Sequence, residues 1–303
     1  ALSGFLKRRH GCEIEKDWLL VTNGVVSAIN VAIRALSAPG DAVLIQPPVY
    51  APFLEAIEQN GRKPAMNQLI LREGRYEIDF ADFERQCAKE ETRLFILCSP
   101  HNPVGRVWTR AELERMADIC LAHGVRILSD EIHADIVFTG RRHTSLLNLP
   151  AARENAVVCT AMSKTFNLAG LSCSDILIPD AELRRRFEAQ QHIDQAFGMT
   201  YFARVASIAA HTQCDAWLDE LNAYLEENYA FFETFFRERL PLLPCIKIEG
   251  TYLAWVDMRA LGLSDAQMRG FCAQRAGLAL NMGDWFGMGG SGFTRWNLAL
   301  PRA

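Results

Sequence analysis

Three apolar stretches of this chain each run into a short polar segment. Residues 94–98 lead to Ser99-Pro100-His101-Asn102-Pro103, residues 125–128 to Ser129-Asp130-Glu131-Ile132-His133, and residues 156–160 to Ala161-Met162-Ser163-Lys164-Thr165. Read as strands of an open α/β sheet, they deliver their polar groups to one edge, because ligands there bind beyond the carboxyl ends of the strands. An amide, a carboxylate and an amine converging in this way suit covalent carbonyl chemistry. The amine forms an imine, the acid polarises a heterocycle and the amide holds an oxygen.

Lys164 is the sharpest of these signals. The chain has six lysines against twenty-six arginines. Lys7, Lys16, Lys63, Lys89 and Lys247 sit among charged or turn residues, whereas Lys164 follows an apolar strand and precedes a helix-like segment, 166–171. An imine-forming lysine has to be fixed in place and partly desolvated so that its amine can deprotonate; the plainer reading is a lysine closing a strand. A carboxylate at a buried strand end, Asp130, is costly unless paired. It suits the ring nitrogen of pyridoxal phosphate, or else caps a following helix. Glu131 beside it reads as a structural partner. Asn102, biased away from helix by Pro103, can donate to the phenolate oxygen of that cofactor or simply make a turn. Thr22-Asn23-Gly24-Val25-Val26 places a glycine and a helix start together, which provides backbone N–H groups for a phosphate or an ordinary cap. Tyr50, after Gln46-Pro47-Pro48-Val49, can stack on a ring or join the core. Two other patterns are set aside. The run Gly287-Met288-Gly289-Gly290-Ser291-Gly292 precedes a strand and lacks the strand–turn–helix setting of a nucleotide loop, and His101, His123 and His133 with Asp130 have no familiar metal-ligand spacing.

The elements needed to position these groups are legible around them. Helices are expected at 4–10, 25–36, 50–60, 79–89, 110–123 and strands at 42–45 and the three stretches above, an alternation that predicts an α/β fold with a mostly parallel sheet sandwiched by helices. After a strand at 175–178 the pattern changes to helices at 181–193, 200–212 and 214–240. Strands at 246–249, 253–256 and 293–298 and a helix at 264–276 capped by Ser264 then predict a smaller α+β domain. The expected division is a tail of an N-terminal small-domain segment at 1–18, a large cofactor-binding domain at 19–213 and a small domain at 214–303. A length of 303 residues fits two cores. Half the residues are apolar and 22% charged, a globular composition, and the net charge of -4 offers nothing to nucleic acid. No apolar run approaches a bilayer span and the first residues lack a signal-peptide pattern. Nine cysteines without a Cys-x-x-Cys pair argue against zinc or a disulfide framework and for a reducing cytoplasm.

With these residues in hand the chain resembles the fold-type I pyridoxal phosphate enzymes, the aspartate aminotransferase superfamily. Three segments resemble its carbon–sulfur β-lyase branch, the cystathionine β-lyases of the MalY and PatB type. They are Ser99-Pro100-His101-Asn102-Pro103-Val104-Gly105-Arg106-Val107-Trp108, Asp130-Glu131-Ile132-His133 and Ser163-Lys164-Thr165-Phe166-Asn167-Leu168-Ala169-Gly170-Leu171. The resemblance implies Lys164 and Tyr50 as catalytic residues, Lys164 joined to the cofactor and Tyr50 stacked on its ring. It also implies Asp130 at the pyridine nitrogen, Asn102 at the phenolate oxygen and His133 nearby. Gly24, Val25 and Val26 would surround the phosphate with Thr160 or Ser163, and Arg295 would bind the substrate carboxylate. His133 stands where aminotransferases usually carry tyrosine, and Ser172 where they carry a phosphate-gripping arginine; both favour a lyase over a transaminase. Further implications are a homodimer with a shared active site and a sulfur-bearing amino-acid substrate such as cystathionine, with an aminotransferase or a regulatory protein on the same scaffold as alternatives. Members also begin with a segment that precedes residue 1 and continue past residue 302, so the chain is expected to be trimmed at both ends.

Overall fold

A computed structural model describes residues 1–302 of the chain. Its centre is a seven-stranded sheet in the order Leu19–Thr22, Ser174–Leu177, Ala156–Thr160, Arg126–Asp130, Thr92–Cys98, Ala42–Ile45, Lys63–Met66. Ser174–Leu177 runs antiparallel to both of its neighbours, and the four pairings from Ala156–Thr160 to Lys63–Met66 are parallel. The expected mostly parallel sheet is therefore present, with one reversed strand. Helices cover both faces, so the strands are apolar on both sides rather than alternating with polar residues. Successive side chains still part to opposite faces. Leu44, Phe95, Leu97, Ile127 and Val158 pack with the helices Leu2–His10, Phe80–Cys87 and Arg110–Ala122. Val43, Ile45, Leu94, Ile96, Leu128, Val157 and Cys159 pack with Val25–Leu36, Pro52–Gln59 and Ala181–Ile193.

A second, three-stranded antiparallel sheet orders Leu253–Asp257, Phe293–Asn297 and Asn281–Met282. It has a core of its own around Phe236, Val256, Met258, Met268 and Met282. Trp255 and Phe293 stack at 5.2 Å between ring centroids and belong to the main core, so the two sheets share a seam. No helix among the described residues is long and apolar enough to cross a membrane.

Several elements differ from the expectations. Residues 246–249 do not form a strand: Ile246 N–H donates to Trp255, Lys247 N–H to Gly74 and Glu249 N–H to Gly105, while Glu249 C=O accepts from Phe138. Partners on four separate segments make no ladder. The helix expected from Tyr50 starts at Pro52, which supplies no N–H and suits the first turn. The segment 166–171 is not one helix; a short turn, Met162–Thr165, carries Lys164, and a 3-10 turn follows at Ala169–Leu171. The helix capped by Ser264 is α-helical over Asp265–Gly270 and widens into a π turn at Phe271–Arg275. The edge strands Leu19–Thr22 and Lys63–Met66 have no counterpart among the expected elements.

One glycine is critical to the site because of what it touches. Gly105, at φ 67°, accepts the N–H of Glu249, and a Cβ there would lie 2.3 Å from Ile248 Cβ. Gly105→Ala combines a left-handed backbone with overpacking and is expected to lower unfolding stability by about 2–4 kcal/mol. Chemical denaturation of the two proteins checks this; equal midpoints would show that the loop 101–107 yields freely.

Candidate active site

The carboxyl ends of the parallel strands and the small sheet enclose a cavity of about 480 Å³. Lys164, Asp130, Asn102, Tyr50, His133, Ser163, Arg295 and the segment Gly24-Val25-Val26 all line it. Thr160 does not, and the reason is the pleat. It shares the strand face of Ala156 and Val158, whereas the helix Val25–Leu36 packs on the opposite face with Val157 and Cys159. Of the two hydroxyls that the resemblance offers to a phosphate, Thr160 or Ser163, Ser163 is the one that lines the cavity.

Asp130 is 4% exposed and accepts one hydrogen bond, from Ile132 N–H at 3.1 Å. No helix follows it, so the helix-cap alternative fails. Burial pushes its carboxyl up to about 7, against the pull of the Ile132 N–H and the Lys164 charge. Glu131 turns the other way, accepting from Ser129 Oγ at 3.1 Å and Leu146 N–H at 3.0 Å and meeting His143 Nε2 at 3.1 Å. Burial opposes its ionisation, yet His143 and these donors hold it below the usual carboxylate range.

Arg295 lies on the small sheet and reaches across the seam. One guanidinium nitrogen donates to Asn102 Oδ1 at 2.9 Å and the other to Asn281 Oδ1 at 2.8 Å, with the carbon 4.9 Å from the Phe286 ring centroid. Its Nε is buried without a partner. Because a guanidinium cannot accept, the contact fixes the Asn102 oxygen toward Arg295 and leaves the Asn102 amide N–H groups free to donate. His133 is buried, packs edge-on to Tyr252 at 5.5 Å, and is pushed down to about 3 by burial and the charges of Lys164 and Arg295. It is uncharged at neutral pH. Tyr50 meets Trp285 edge-on at 6.4 Å.

At the far end of the cavity the helix Val25–Leu36 begins at Gly24 (φ 125°, ψ 156°) with no side-chain cap, leaving its first N–H groups to face an anion. Lys164 and Arg295 are the only cations among the lining residues. Asn167 (φ 54°) and Ser172 (φ 45°) hold left-handed backbone on either side of the turn after Lys164. Such strain concentrates at functional sites, at a cost of about 1–3 kcal/mol each. Tyr252, Trp285, Asn281, Asn297, Cys98 and Cys173 also line the cavity and were not anticipated. Most come from the small sheet and its loops, where no motif marks them; Asn281 could have been found only through Arg295. A second cavity of about 570 Å³ adjoins the first, sharing Ser163, Lys164, Ala169, Tyr252 and Asn297 and walled by Trp217, Leu221, Tyr224 and Leu300.

An amine, a buried acid, a free amide and an uncapped helix start fit the imine carbon, ring nitrogen, phenolate and phosphate of pyridoxal phosphate. The chain belongs to the aminotransferase class I and II family, which matches residues 1–303. Among curated relatives it is 41% identical over 304 residues to cystathionine β-lyase PatB of Bacillus subtilis, covering all of this chain and 79% of the relative. It is 33% identical to protein MalY of Escherichia coli, covering all of this chain and 77% of that protein. In structure it superposes on cystalysin from Treponema denticola, which contains a pyridoxal 5'-phosphate cofactor, with a TM-score of 0.97 and 36% identity over 99% of this chain and 76% of that one. A pyridoxal-phosphate-bound C–S lyase from Staphylococcus hominis, complexed with L-cycloserine, gives 0.92 and 31% over 99% and 74%.

Asp130 also makes a stability prediction. Its folded value lies above its ordinary one, so the native state binds the extra proton and stability falls as pH rises through the window from about 4 to about 7. In cofactor-free protein, Asp130→Asn is expected to be more stable than the parent by a few kcal/mol at pH 8, since one pKa unit is about 1.4 kcal/mol. The difference should vanish below pH 4. Denaturant melts at both pH values check the sign, and a variant weaker than the parent at pH 8 would contradict it.

Proposed function

We propose that this chain is a pyridoxal-phosphate-dependent carbon–sulfur β-lyase, converting cystathionine or a related cysteine S-conjugate to a thiol, pyruvate and ammonia. What carries the reading is the placement of Lys164, Asp130, Asn102 and Arg295 around one cavity, in a chain whose relatives include named cystathionine β-lyases. When bound, pyridoxal phosphate supplies an electron sink for the pair left by a broken Cα–H bond. The chain's residues do the rest. Lys164 Nζ takes the Cα proton as general base. Asp130 holds a proton at the pyridine nitrogen, Asn102 Nδ2 donates to the phenolate oxygen, and Tyr50 stacks on the ring. Gly24, Val25 and Val26 with Ser163 receive the phosphate, aided by the helix start in place of the arginine that Ser172 replaces. Arg295 grips the substrate carboxylate, which leaves the sulfur end room toward the second cavity. Thiolate departs from Cβ.

The working unit is a cytoplasmic homodimer whose two copies share their active sites, with the large domain at 19–213. Its support is the face of helix Tyr201–Gln213, where Phe202 is 76% exposed and Val205 and Ile208 are half exposed on one stripe. Sedimentation at micromolar concentration is expected to give a dimer; a monomer would remove that part of the reading.

Incubation with cystathionine is expected to release homocysteine and pyruvate catalytically, while alanine gives no pyruvate without an added keto acid. Turnover that depends on a keto acid would mark a transaminase instead. Lys164→Ala is expected to lose about 10²–10⁴-fold in kcat, the usual contribution of a positioned base.

A further inference from the structure

On the side of the Asp130–Asp135 loop away from the active site lies a separate cleft of about 270 Å³. It is bounded by the helix Leu2–His10, the segment that ends at His143, and Asn222 of the long helix Asp215–Arg239. Four arginines and two histidines line it, in a chain whose net charge is -4. The one acid among the lining residues, Asp135, is spent: His10 Nε2 lies 2.6 Å from one oxygen and Thr165 Oγ donates to the other at 2.7 Å.

The charges do not cancel. Arg8 pairs with Asp215 and Arg9 with Asp219. Arg141 shares Glu249, at 3.3 Å, with Arg75 and Arg106. Arg142 has no ionic partner among the described residues. A second observation is independent of charge. His143 is 4% exposed and engages Glu131 through Nε2, and its Nδ1 is buried without a partner. Asn222 gives Nδ2 to Asp135 C=O at 2.8 Å, and its Oδ1 is likewise buried without a partner. Orphaned polar atoms of this kind are costly unless something meets them.

We propose that this cleft binds hydrogen phosphate. The ligand must be an anion to suit the arginines, and it must also carry a donor, because Asn222 Oδ1 can only accept. Inorganic phosphate keeps an O–H in both of its ionisation states near neutral pH; sulfate keeps none. The phosphate O–H goes to Asn222 Oδ1, and the anionic oxygens face Arg142 and its neighbours. His143 Nδ1 accepts when the ring is neutral and donates when it is charged. His143 engages Glu131, next to Asp130, and His10 engages Asp135, which accepts from Thr165 next to Lys164, so the cleft is linked through two carboxylates to the segments that carry the catalytic groups.

The test is calorimetric titration of the holoenzyme after borohydride reduction, which keeps the cofactor's own phosphate in the cradle at Gly24. Inorganic phosphate is expected to bind one per chain, with sulfate at least about tenfold weaker, the loss of one hydrogen bond to a buried acceptor. Arg142→Glu, an exposed position outside the catalytic set, is expected to weaken phosphate by about tenfold or more. Glycerol 3-phosphate, whose phosphate ester is mostly without a P–O–H at pH 7, separates the sources: it is expected to bind more weakly than inorganic phosphate, and tighter binding would overturn the assignment of the site to the free ion and its O–H. Sulfate matching phosphate, chloride matching it at equal ionic strength, or an unchanged affinity in Arg142→Glu would overturn the proposal. A chain that takes up no pyridoxal phosphate would instead count against the lyase reading; the parent and Arg142→Glu are then compared without cofactor, since Arg142 lines this cleft and not the active-site cavity.

Discussion

Asp130 is a carboxylate placed inside the protein with one backbone N–H on it and no lysine, arginine or histidine within ion-pair distance among the described residues. Burial of an unpaired acid costs several kcal/mol unless a partner arrives or a proton is taken up. The protein does not supply that partner, and the cavity wall is where one can enter. A protonated pyridine is a cation of the right size and shape for the position. The strand that ends in Asp130 is covered on both faces, which keeps the acid from relaxing into water and preserves the demand for a counter-charge.

The opposite wall works by complementary means. Arg295 is a half-buried cation whose donors are partly met by two amide oxygens and by an aromatic face, with its buried Nε left over. It sits on the small sheet, so its reach to Asn102 ties that sheet to the loop after Thr92–Cys98. Glu249 secures the same loop from behind: it accepts from Arg106 Nε at 3.1 Å and from Val107 N–H at 2.9 Å. Truncating it would leave a fully buried guanidinium short of a partner, the expensive way to break such a pair. Asn102 is therefore positioned from both sides, and its free donors point where the geometry leaves room.

Much of this was legible before the fold was known. The three apolar runs ending in Asn102, Asp130 and Lys164 are short-range patterns, and parallel strands buried on both faces write themselves as continuous hydrophobic segments. The start of Val25–Leu36 was visible for a similar reason, a glycine next to a helical period. Between Thr160 and Ser163, which the resemblance offered together, the sequence could not choose, because proximity along the chain does not say which face of a strand a side chain takes. Tyr252 and Trp285 were invisible because they arrive from a sheet far along the chain, and Arg295 was one cation among twenty-six until the family resemblance pointed to it. Residues 246–249 look like a strand by composition, yet their backbone bonds go to four different segments, something that only tertiary packing decides.

The placement of Lys164 follows from a different economy. Its turn, Met162–Thr165, is four residues long and cannot hold itself, since so short a helix has no internal cooperativity. The anchor is Thr165, next to the lysine, bonded to Asp135. That carboxylate is gripped in turn by His10 of the first helix, and the backbone of Asp135 is held by Asn222 of the long helix. Burial works against the charge on Asp135, and the His10 contact overcomes it, holding the acid below its ordinary range. An ionised Asp135 can accept from both neighbours at once, whereas a protonated one would lose an acceptor and slacken the turn. The position of the Lys164 amine thus depends on the ionisation of an acid that does not line the active-site cavity.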